Sequence, residues 1–190
     1  MLSDTRQRLM DAAFQRLYRD GFRNVGIDQI LADVGISKTA FYKHFECKED
    51  LLLAALEDRH RHLEEDFRQT IRQRGGDSPA QQLRALFDAV ENITESEWFH
   101  GCVFVNVSIE FPLPHEPAHV VAANSKAAIE RVVAEIAARA GAADPVALAQ
   151  ELCLVMEGAY VTKHVTGNAA TIAIARRLAE RALVAHLPAT

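Results

Sequence analysis

The sequence predicts an all-α fold of about nine helices, arranged as an N-terminal three-helix head and a C-terminal helical domain. Glycine and proline are scarce, at 9 and 6 of 190 residues, and alanine and leucine are abundant, a mix that favours helix over sheet. Apolar residues recur at helical spacing along most of the chain, and only residues 102–107 have a β-like pattern. We place the domain boundary between residues 47 and 48, which gives domains 1–47 and 48–190.

Three helices are predicted in the head, each bounded by a capping residue or a glycine. The first begins at Ser3 or Asp4 and ends before Gly21, because glycine readily adopts the left-handed turn that closes a helix. The second and third cover about residues 27–34 and 38–45, where apolar residues fall on one face.

Longer helices are predicted in the C-terminal domain, separated by breaks that contain glycine or proline. Glu49 and Asp50 place acids in the first turn of the fourth helix. Pro79 suits the first position of the fifth. The predicted ranges are about 48–74, 79–94, 103–111, a long helix ending near 140, 145–166 and 169–187.

The helices at 27–34 and 38–45 have the spacing of a helix-turn-helix unit, in which Gly35 lets the chain reverse within about three residues. In such a unit the second helix reads the DNA major groove from its N-terminal end. The side chains expected to face DNA are Ser37, Lys38, Thr39, Tyr42, Lys43 and His44. A helical hairpin with a solvated basic face has the same spacing, so spacing alone leaves both interpretations open.

The charge of the chain is divided unevenly between its two parts. The net charge is −5, but residues 1–48 contain eight Lys/Arg and six Asp/Glu, a net +2, which leaves −7 for the remainder. An acidic body with a mildly basic head is typical of a protein that contacts phosphate with one end only.

One stretch resembles the signature of the TetR (tetracycline-repressor-like) family: Gly35 to Phe45, followed by Lys48-Glu49-Asp50-Leu51-Leu52. Further matching segments are Ala12-Ala13, Gly21-Phe22 and Ile27-Asp28-Gln29-Ile30, so the match covers roughly residues 5–55. The resemblance is specific because the glycine turn, the aromatic run and the lysine of the next helix all fall in register.

The resemblance implies a sequence-specific transcriptional regulator, usually a repressor, that binds a palindromic operator as a homodimer and holds a small-molecule effector in its body. It implies that Phe41, Phe45 and Leu51 pack the head. It adds Lys48 to the DNA-facing residues, because its ammonium can meet phosphate beside the N-terminus of the fourth helix. A dimer is also expected on energetic grounds, since one head with about three or four phosphate contacts binds weakly at physiological salt.

Two positions depart from the family pattern. Gly26 stands where Ser or Thr is common, so a hydroxyl–phosphate contact is expected to be missing. Cys47 stands where Ser or Asn is common, which predicts a weak cap for the fourth helix. This thiol, expected beside the DNA-facing residues, is either a plain substitution or a redox-active group, and the sequence leaves both open.

Broad apolar stripes in the last two helices predict the dimer interface, a four-helix bundle across a two-fold axis. The alternative is a hairpin that is buried only within its own subunit. The candidate interface residues are Leu148, Leu152, Val155, Ala159, Ala175, Leu178, Ala179 and Ala182.

A ligand pocket is expected where aromatic and polar side chains mix in the C-terminal domain. The alternative for each aromatic residue is that it fills the core. The candidates are Phe67, Phe87, Trp98, Phe99, Phe104, Asn106, Glu110, Phe111, Tyr160 and His164. The effector is a small molecule of unknown identity, and no cofactor is expected.

Other classes of protein are disfavoured by the sequence. It offers no nucleophile–base spacing and no phosphate loop for an enzyme, and no apolar run of about 18 residues for a membrane span. The N-terminus has no apolar signal core, so we expect a cytoplasmic protein. His115 and His119 have an i, i+4 spacing that could suit a metal, but solvated histidines are the simpler interpretation and no metal site is predicted. A helix-turn-helix activator, and much less an α-helical enzyme, remains the alternative.

Overall fold

The computed structural model describes residues 2–188, and within that range the chain forms nine helices and no strand. The helices are α1 (Leu2–Asp20), α2 (Ile27–Val34), α3 (Lys38–Phe41), α4 (Lys48–Gly75), α5 (Pro79–Thr94), α6 (Val103–Glu110), α7 (Pro117–Arg139), α8 (Pro145–Thr166) and α9 (Thr171–His186). The predicted all-α class is therefore confirmed, and residues 103–107 of the β-like patch are helical.

Most helix boundaries lie within two residues of the predicted ones, and α3 is the exception. It ends at Phe41 rather than near Phe45. The N–H of His44 donates to the carbonyl of Phe41 at 2.8 Å, three residues back, so the chain tightens into turns after α3. The prediction was wrong there because a helical pattern of side chains does not distinguish an α-helix from successive turns.

The chain folds as two compact units that do not follow the sequence order. The first unit, which we call the head unit, contains residues 1–62 and 103–125. The second, the body unit, contains residues 63–102 and 126–190. The boundary predicted at residues 47–48 coincides with the start of α4, and as a functional division it stays a prediction.

The head unit contains α1, α2, α3, the N-terminal part of α4, α6 and the start of α7. The side chains of Leu9, Ile30, Phe41 and Leu51 come from four of these helices and are fully buried. Apolar residues of four helices are thus buried within the head unit, where they hold the helix-turn-helix in place.

The core of the body unit is formed by α5, α8 and α9 with the remaining parts of α4 and α7. Its helix starts follow the capping signals in the sequence: the Ser78 hydroxyl accepts from the N–H of Gln81, and the Asp144 carboxylate from the N–H of Ala147. Each of these two helices has a proline directly after its cap.

The end of α4 packs directly on α5 at Gly75. A Cβ placed at Gly75 would lie 2.5 Å from backbone atoms of Gln82, closer than real contacts allow. The buried Gln82 side chain donates to the Gly76 carbonyl at 2.6 Å and accepts from Arg139 at 2.9 Å. Both ends of this buried amide are therefore hydrogen-bonded, as burial of a polar group requires.

Within residues 2–188, no helix combines the length and the apolar character that crossing a membrane requires.

Candidate nucleic-acid interface

The turn between α2 and α3 depends on Gly35. Its φ of +74° lies in the left-handed region that side chains disfavour, and its N–H donates to the carbonyl of Leu31 at 2.9 Å. The N–H of Ile36 donates to the same carbonyl at 3.1 Å. These bonds close α2 and reverse the chain within three residues, as the sequence predicted.

The N-terminus of α3 is capped by Ser37, whose hydroxyl accepts from the N–H of Ala40 at 3.2 Å. The ammonium of Lys38 lies 2.9 Å from the Asp28 carboxylate of α2. This ion pair joins the two helices of the unit at their exposed surface, so Lys38 already has a partner on the protein.

The predicted DNA-facing residues of α3 and the following turn lie at the surface of the head unit. Tyr42 is 59% exposed, and Thr39 and Lys43 are also exposed, whereas His44 is half-buried. Among the residues that the structure describes, Lys43 has no ion-pair partner. A hydroxyl, a phenol and an unpaired ammonium at one surface are the groups that contact phosphates and base edges.

The aromatic residues between these positions face the other way. Phe41 and Phe45 are buried, with ring centroids 5.8 Å apart. The guanidinium of Arg6 lies 5.0 Å from the ring centroid of Phe45, so α1 covers this pair. The head-packing roles assigned to Phe41, Phe45 and Leu51 are confirmed by their burial.

Lys48, at the first position of α4, donates from its ammonium to the carbonyl of Val25 at 2.7 Å. Val25 is part of the turn that precedes α2, so this bond fixes the start of α4 to the helix-turn-helix. An ammonium has three donors. Lys48 can therefore hold the turn with one donor and still offer the others to phosphate.

Gly26, which departs from the family pattern, precedes α2 without a side-chain oxygen of its own. The Gln29 side chain accepts from the N–H of Gly26 at 2.8 Å, and the N–H of Gln29 donates to the Gly26 carbonyl at 3.2 Å. Half of a capping box is thus retained through Gln29. Cys47, the other departure, is exposed.

Two arginines that the sequence analysis did not single out hold α1 against α2. Arg16 forms a two-pronged pair with Asp33, at 2.5 and 2.7 Å, and this guanidinium lowers the pKa of the Asp33 carboxyl. Arg8 donates to the carbonyl of Val34, at the end of α2, at 2.8 Å. No local pattern reveals these contacts, because the partners are 17 and 26 residues apart in sequence.

Two family models match this chain. The model described as "Bacterial regulatory proteins, tetR family" matches residues 9–55, which contain the helix-turn-helix described above. The model described as "Tetracyclin repressor-like, C-terminal domain" matches residues 79–179, more than half of the chain. The chain belongs to the TetR family. It is a DNA-binding transcriptional regulator of the helix-turn-helix type.

Relatives of the same family resemble the chain over almost its full length. The HTH-type transcriptional regulator YjdC of Escherichia coli is 24% identical over 178 residues, which cover 92% of this chain and 91% of YjdC. The TetR-family regulator SCO4454 of Streptomyces coelicolor is 27% identical with a TM-score of 0.88, covering 97% and 96% of the two chains. A putative TetR regulator of Streptomyces avermitilis, sav143, is 31% identical with a TM-score of 0.80, covering 96% and 97%.

The candidate ligand residues of this TetR-family chain are divided between the two units. Phe67, Phe87, Trp98, Phe99, Tyr160 and His164 belong to the body unit, and Phe104, Asn106, Glu110 and Phe111 belong to the head unit. In the body unit the structure brings three of them together: the ring centroid of Phe99 lies 6.2 Å from that of Tyr160 and 5.8 Å from that of His164. Phe67, Phe87 and Phe104 are buried in the cores, whereas Trp98 is 75% exposed.

Glu110, at the end of α6, contacts the turn between α1 and α2 in the head unit. Its carboxylate accepts from the N–H of Phe22 at 3.1 Å and from the N–H of Arg23 at 2.9 Å. The Arg23 side chain in turn donates to the Glu110 carbonyl at 2.8 Å and lies 4.9 Å from the ring centroid of Phe111. We call these contacts the Glu110 clasp. Sequence reasoning missed it because the partners are 87 and 88 residues apart.

His119, one of the two histidines considered as metal ligands, lies beside the clasp. Its Nδ1 is 2.7 Å from the carbonyl oxygen of Phe111, within hydrogen-bond distance. This contact therefore fixes the segment that connects α6 and α7 to the first turn of α7.

Most of the predicted dimer-interface residues lie inside the core of their own body unit. Leu148, Leu152, Ala159, Ala175 and Ala179 are at most 4% exposed, Val155 and Ala182 are half-buried, and Leu178 is 43% exposed. The buried five pack α8 and α9 into their own subunit, and the assignment of α8 and α9 to a dimer interface stays a prediction.

A different set of apolar side chains remains exposed on α8 and α9. We call it the outer stripe, and it consists of Leu154, Val161, Val165, Ile174 and Leu178. The three α8 residues are spaced by seven and four positions and therefore lie on one face of the helix. Leu154 and Val165 are both 74% exposed, which leaves a large apolar surface in contact with water.

We expect Tyr42→Ala and Lys48→Ala each to weaken operator binding about fivefold to tenfold while leaving self-association unchanged. Lys48→Ala should also lower the slope of log affinity against log salt by about one unit, because one phosphate contact is lost. Lys43→Ala is the matched control for stability, since Lys48 also holds the Val25 carbonyl and Lys43 has no such bond. Operator affinity measured across a salt series gives the binding constant and its salt slope, and thermal unfolding measures the stability of each variant. Normal operator binding by Tyr42→Ala and Lys48→Ala together would show that the orientation assigned to α3 is wrong.

Proposed function

We propose that this TetR-family chain is a ligand-responsive repressor that binds a palindromic operator as a homodimer in the cytoplasm and carries out no catalysis. The observation that carries the proposal is the exposed end of α3, where Tyr42 and Lys43 lie on a head fixed by the Gly35 turn.

Two heads are needed for useful affinity. One head offers few phosphate contacts, and each contact is weakened by physiological salt. Joining two heads makes the second binding event intramolecular, which raises the affinity by a factor of about 10² to 10⁴ without a new contact. A dimer with two-fold symmetry in turn requires two half-sites of inverted sequence, about one helical turn of DNA apart.

The outer stripe supports the dimer. Its five apolar side chains lie on α8 and α9, and a second copy of the same stripe would cover them across a two-fold axis. Two helices from each subunit then form a four-helix bundle. This interface uses the exposed apolar residues and leaves the subunit core unchanged.

The effector is proposed to bind in the body unit, beside Phe99, Tyr160 and His164. The ring of Phe99 lies 6.2 Å from that of Tyr160 and 5.8 Å from that of His164, centroid to centroid, and such a mixture of apolar faces and polar edges is usual for small-molecule pockets. The effector lowers operator affinity only by the difference between its affinities for the two conformations.

Selection of bound fragments from a random pool of double-stranded DNA tests the operator proposal. We expect an inverted repeat whose half-sites are spaced by one turn of the double helix, because two related heads contact successive major grooves. Enrichment of a single half-site, or of no sequence, would contradict dimeric operator recognition.

The selected site then serves to test the effector. Small molecules that raise the melting temperature are added to the complex, and an affinity unchanged by every one of them would overturn the ligand-responsive part.

A further inference from the structure

The body unit has a carboxylate beside the three rings at which the effector is proposed to bind. Glu157, Tyr160 and His164 follow one another on α8 at spacings of three and four positions, so they share one face of the helix. Phe99 packs near both rings of this face, as its centroid distances to Tyr160 and His164 show. Along the helix axis Glu157 precedes Tyr160 by about 4.5 Å and His164 by about 10 Å. The carboxylate and the rings therefore belong to one continuous surface.

The two carboxylate oxygens of Glu157 have different surroundings. Oε1 forms an ion pair with the ammonium of Lys126, on α7. Oε2 is buried and accepts no hydrogen bond from any residue that the structure describes. A buried carboxylate oxygen without a donor costs free energy, so this atom favours a molecule that brings one. The side chain as a whole is one third exposed and its last torsion angle is soft, which lets a ligand reach the oxygen.

The charge beside Glu157 is negative overall, as a neighbouring thiol reports. Burial raises the pKa of Cys153 to about 12, and the carboxylates of Glu130 and Glu157 add to this effect. The ammonium of Lys126 acts in the opposite direction and contributes least. Two carboxylates thus outweigh one cation here. A positively charged ligand group gains electrostatic free energy beside them, whereas a negatively charged group loses it.

We propose that the effector of this chain is an aromatic organic cation, in which a short alkyl linker joins a protonated amine to an aromatic ring. The ammonium donates to Oε2 of Glu157, and the ring packs against Phe99 and Tyr160. Aromatic faces also attract positive charge, which adds to the preference for a cation. The inference rests on the effector site proposed above and narrows its ligand to one chemical class.

Phenethylammonium, phenethyl alcohol and hydrocinnamate are matched probes, since the same phenylethyl group carries a positive, a neutral or a negative end. Isothermal titration calorimetry of the full chain at neutral pH, without DNA, measures each affinity. We expect phenethylammonium to bind about tenfold more tightly than the other two, because charge-assisted hydrogen bonds are about twice as strong as neutral ones. Absence of phenethylammonium binding, equal affinity for the alcohol, or tighter binding of hydrocinnamate would overturn the proposal.

Substitutions separate the carboxylate from the rings. Glu157→Gln keeps the length of the side chain and removes its charge, so it should lower phenethylammonium affinity about tenfold and leave phenethyl alcohol affinity unchanged. Phe99→Leu should weaken both ligands, because both use the ring. Glu151→Gln is the matched control, the same substitution at an exposed position of α8, and should bind all three probes as the wild type does. An equal loss for ammonium and alcohol in Glu157→Gln would indicate a structural role alone and contradict the proposal.

The effect on operator binding is measured separately, with the selected DNA site. Phenethylammonium should lower operator affinity in the wild type but not in Glu157→Gln. Selective binding of the ammonium without a change in operator affinity would support the cation site and contradict the ligand-responsive repressor. Failure of the cation site and failure of the proposed function therefore give different results.

Discussion

The double variant Leu154→Glu/Leu178→Glu is expected to be monomeric and to bind the operator about a hundredfold more weakly than the wild type. Both leucines belong to the outer stripe, at 74% and 43% exposure. Burying a leucine side chain contributes about 1.5–3 kcal/mol, and in a two-fold interface each position counts twice. Each glutamate adds the cost of removing a charge from water. Operator affinity falls because, without the dimer, binding of one head no longer holds the second head near its half-site, so the high effective concentration of the second head is lost.

Analytical ultracentrifugation and operator titration measure the two effects. Val120→Glu is the matched control: this valine is 41% exposed, but it lies on α7 in the head unit. The control variant should remain a dimer. A double variant that still sediments as a dimer would show that the interface lies outside the outer stripe, and Leu148 and Leu152 could not replace it because they are fully buried in the subunit.

The variant Glu110→Ala is expected to destabilise the head unit by about 2 kcal/mol, roughly a 30-fold change in its folding equilibrium. A hydrogen bond to a charged group contributes about 1.5–3 kcal/mol, and the two bonds to Phe22 and Arg23 are partly exposed, so solvent screens part of that value. Operator affinity should fall as well, because the N–H groups of the α1–α2 turn lose their acceptor.

Chemical denaturation followed by far-ultraviolet circular dichroism measures the free energy of unfolding. Glu110→Gln separates charge from shape, since an amide oxygen can still accept one of the two bonds, and it should lose about half as much stability. Glu116→Gln is a further control, because its 3.4 Å contact with Arg23 is a weaker surface pair. Wild-type stability in Glu110→Ala would mean that the clasp contributes nothing to the head.

The helix boundaries could be predicted from sequence because they depend on local chemistry. Ser78, Asp144 and Gly35 determine where helices start and end through bonds to residues within four positions, and such signals are visible in a single sequence. The failure at α3 has the same origin, since successive turns and an α-helix share one side-chain pattern over four or five residues.

The surfaces of α8 and α9 show what periodicity does not reveal. Leu152 and Leu154 lie on opposite faces of α8, both faces carry apolar residues, and one leucine is fully buried whereas the other is 74% exposed. A broad apolar stripe indicates that a helix is covered on more than one side, but it does not say which side meets the subunit core and which meets a second copy.

In the candidate site, too, some features could be predicted from the sequence and others could not. The exposed positions of α3 followed from a local motif, whereas the Glu110 clasp and the Arg16–Asp33 pair join residues far apart in the chain. Only the tertiary fold brings such residues together, and neither pair has a sequence spacing that distinguishes it from chance.

The close crossing of α4 and α5 has an evolutionary consequence. No side-chain atom fits at Gly75, because the backbone of Gln82 occupies the space that a Cβ would need. Alanine, which is the mildest replacement by chemical similarity, is already too large there. Homologues that keep this helix crossing can therefore change the residues around position 75 but must keep glycine at that position, unless α4 and α5 move apart.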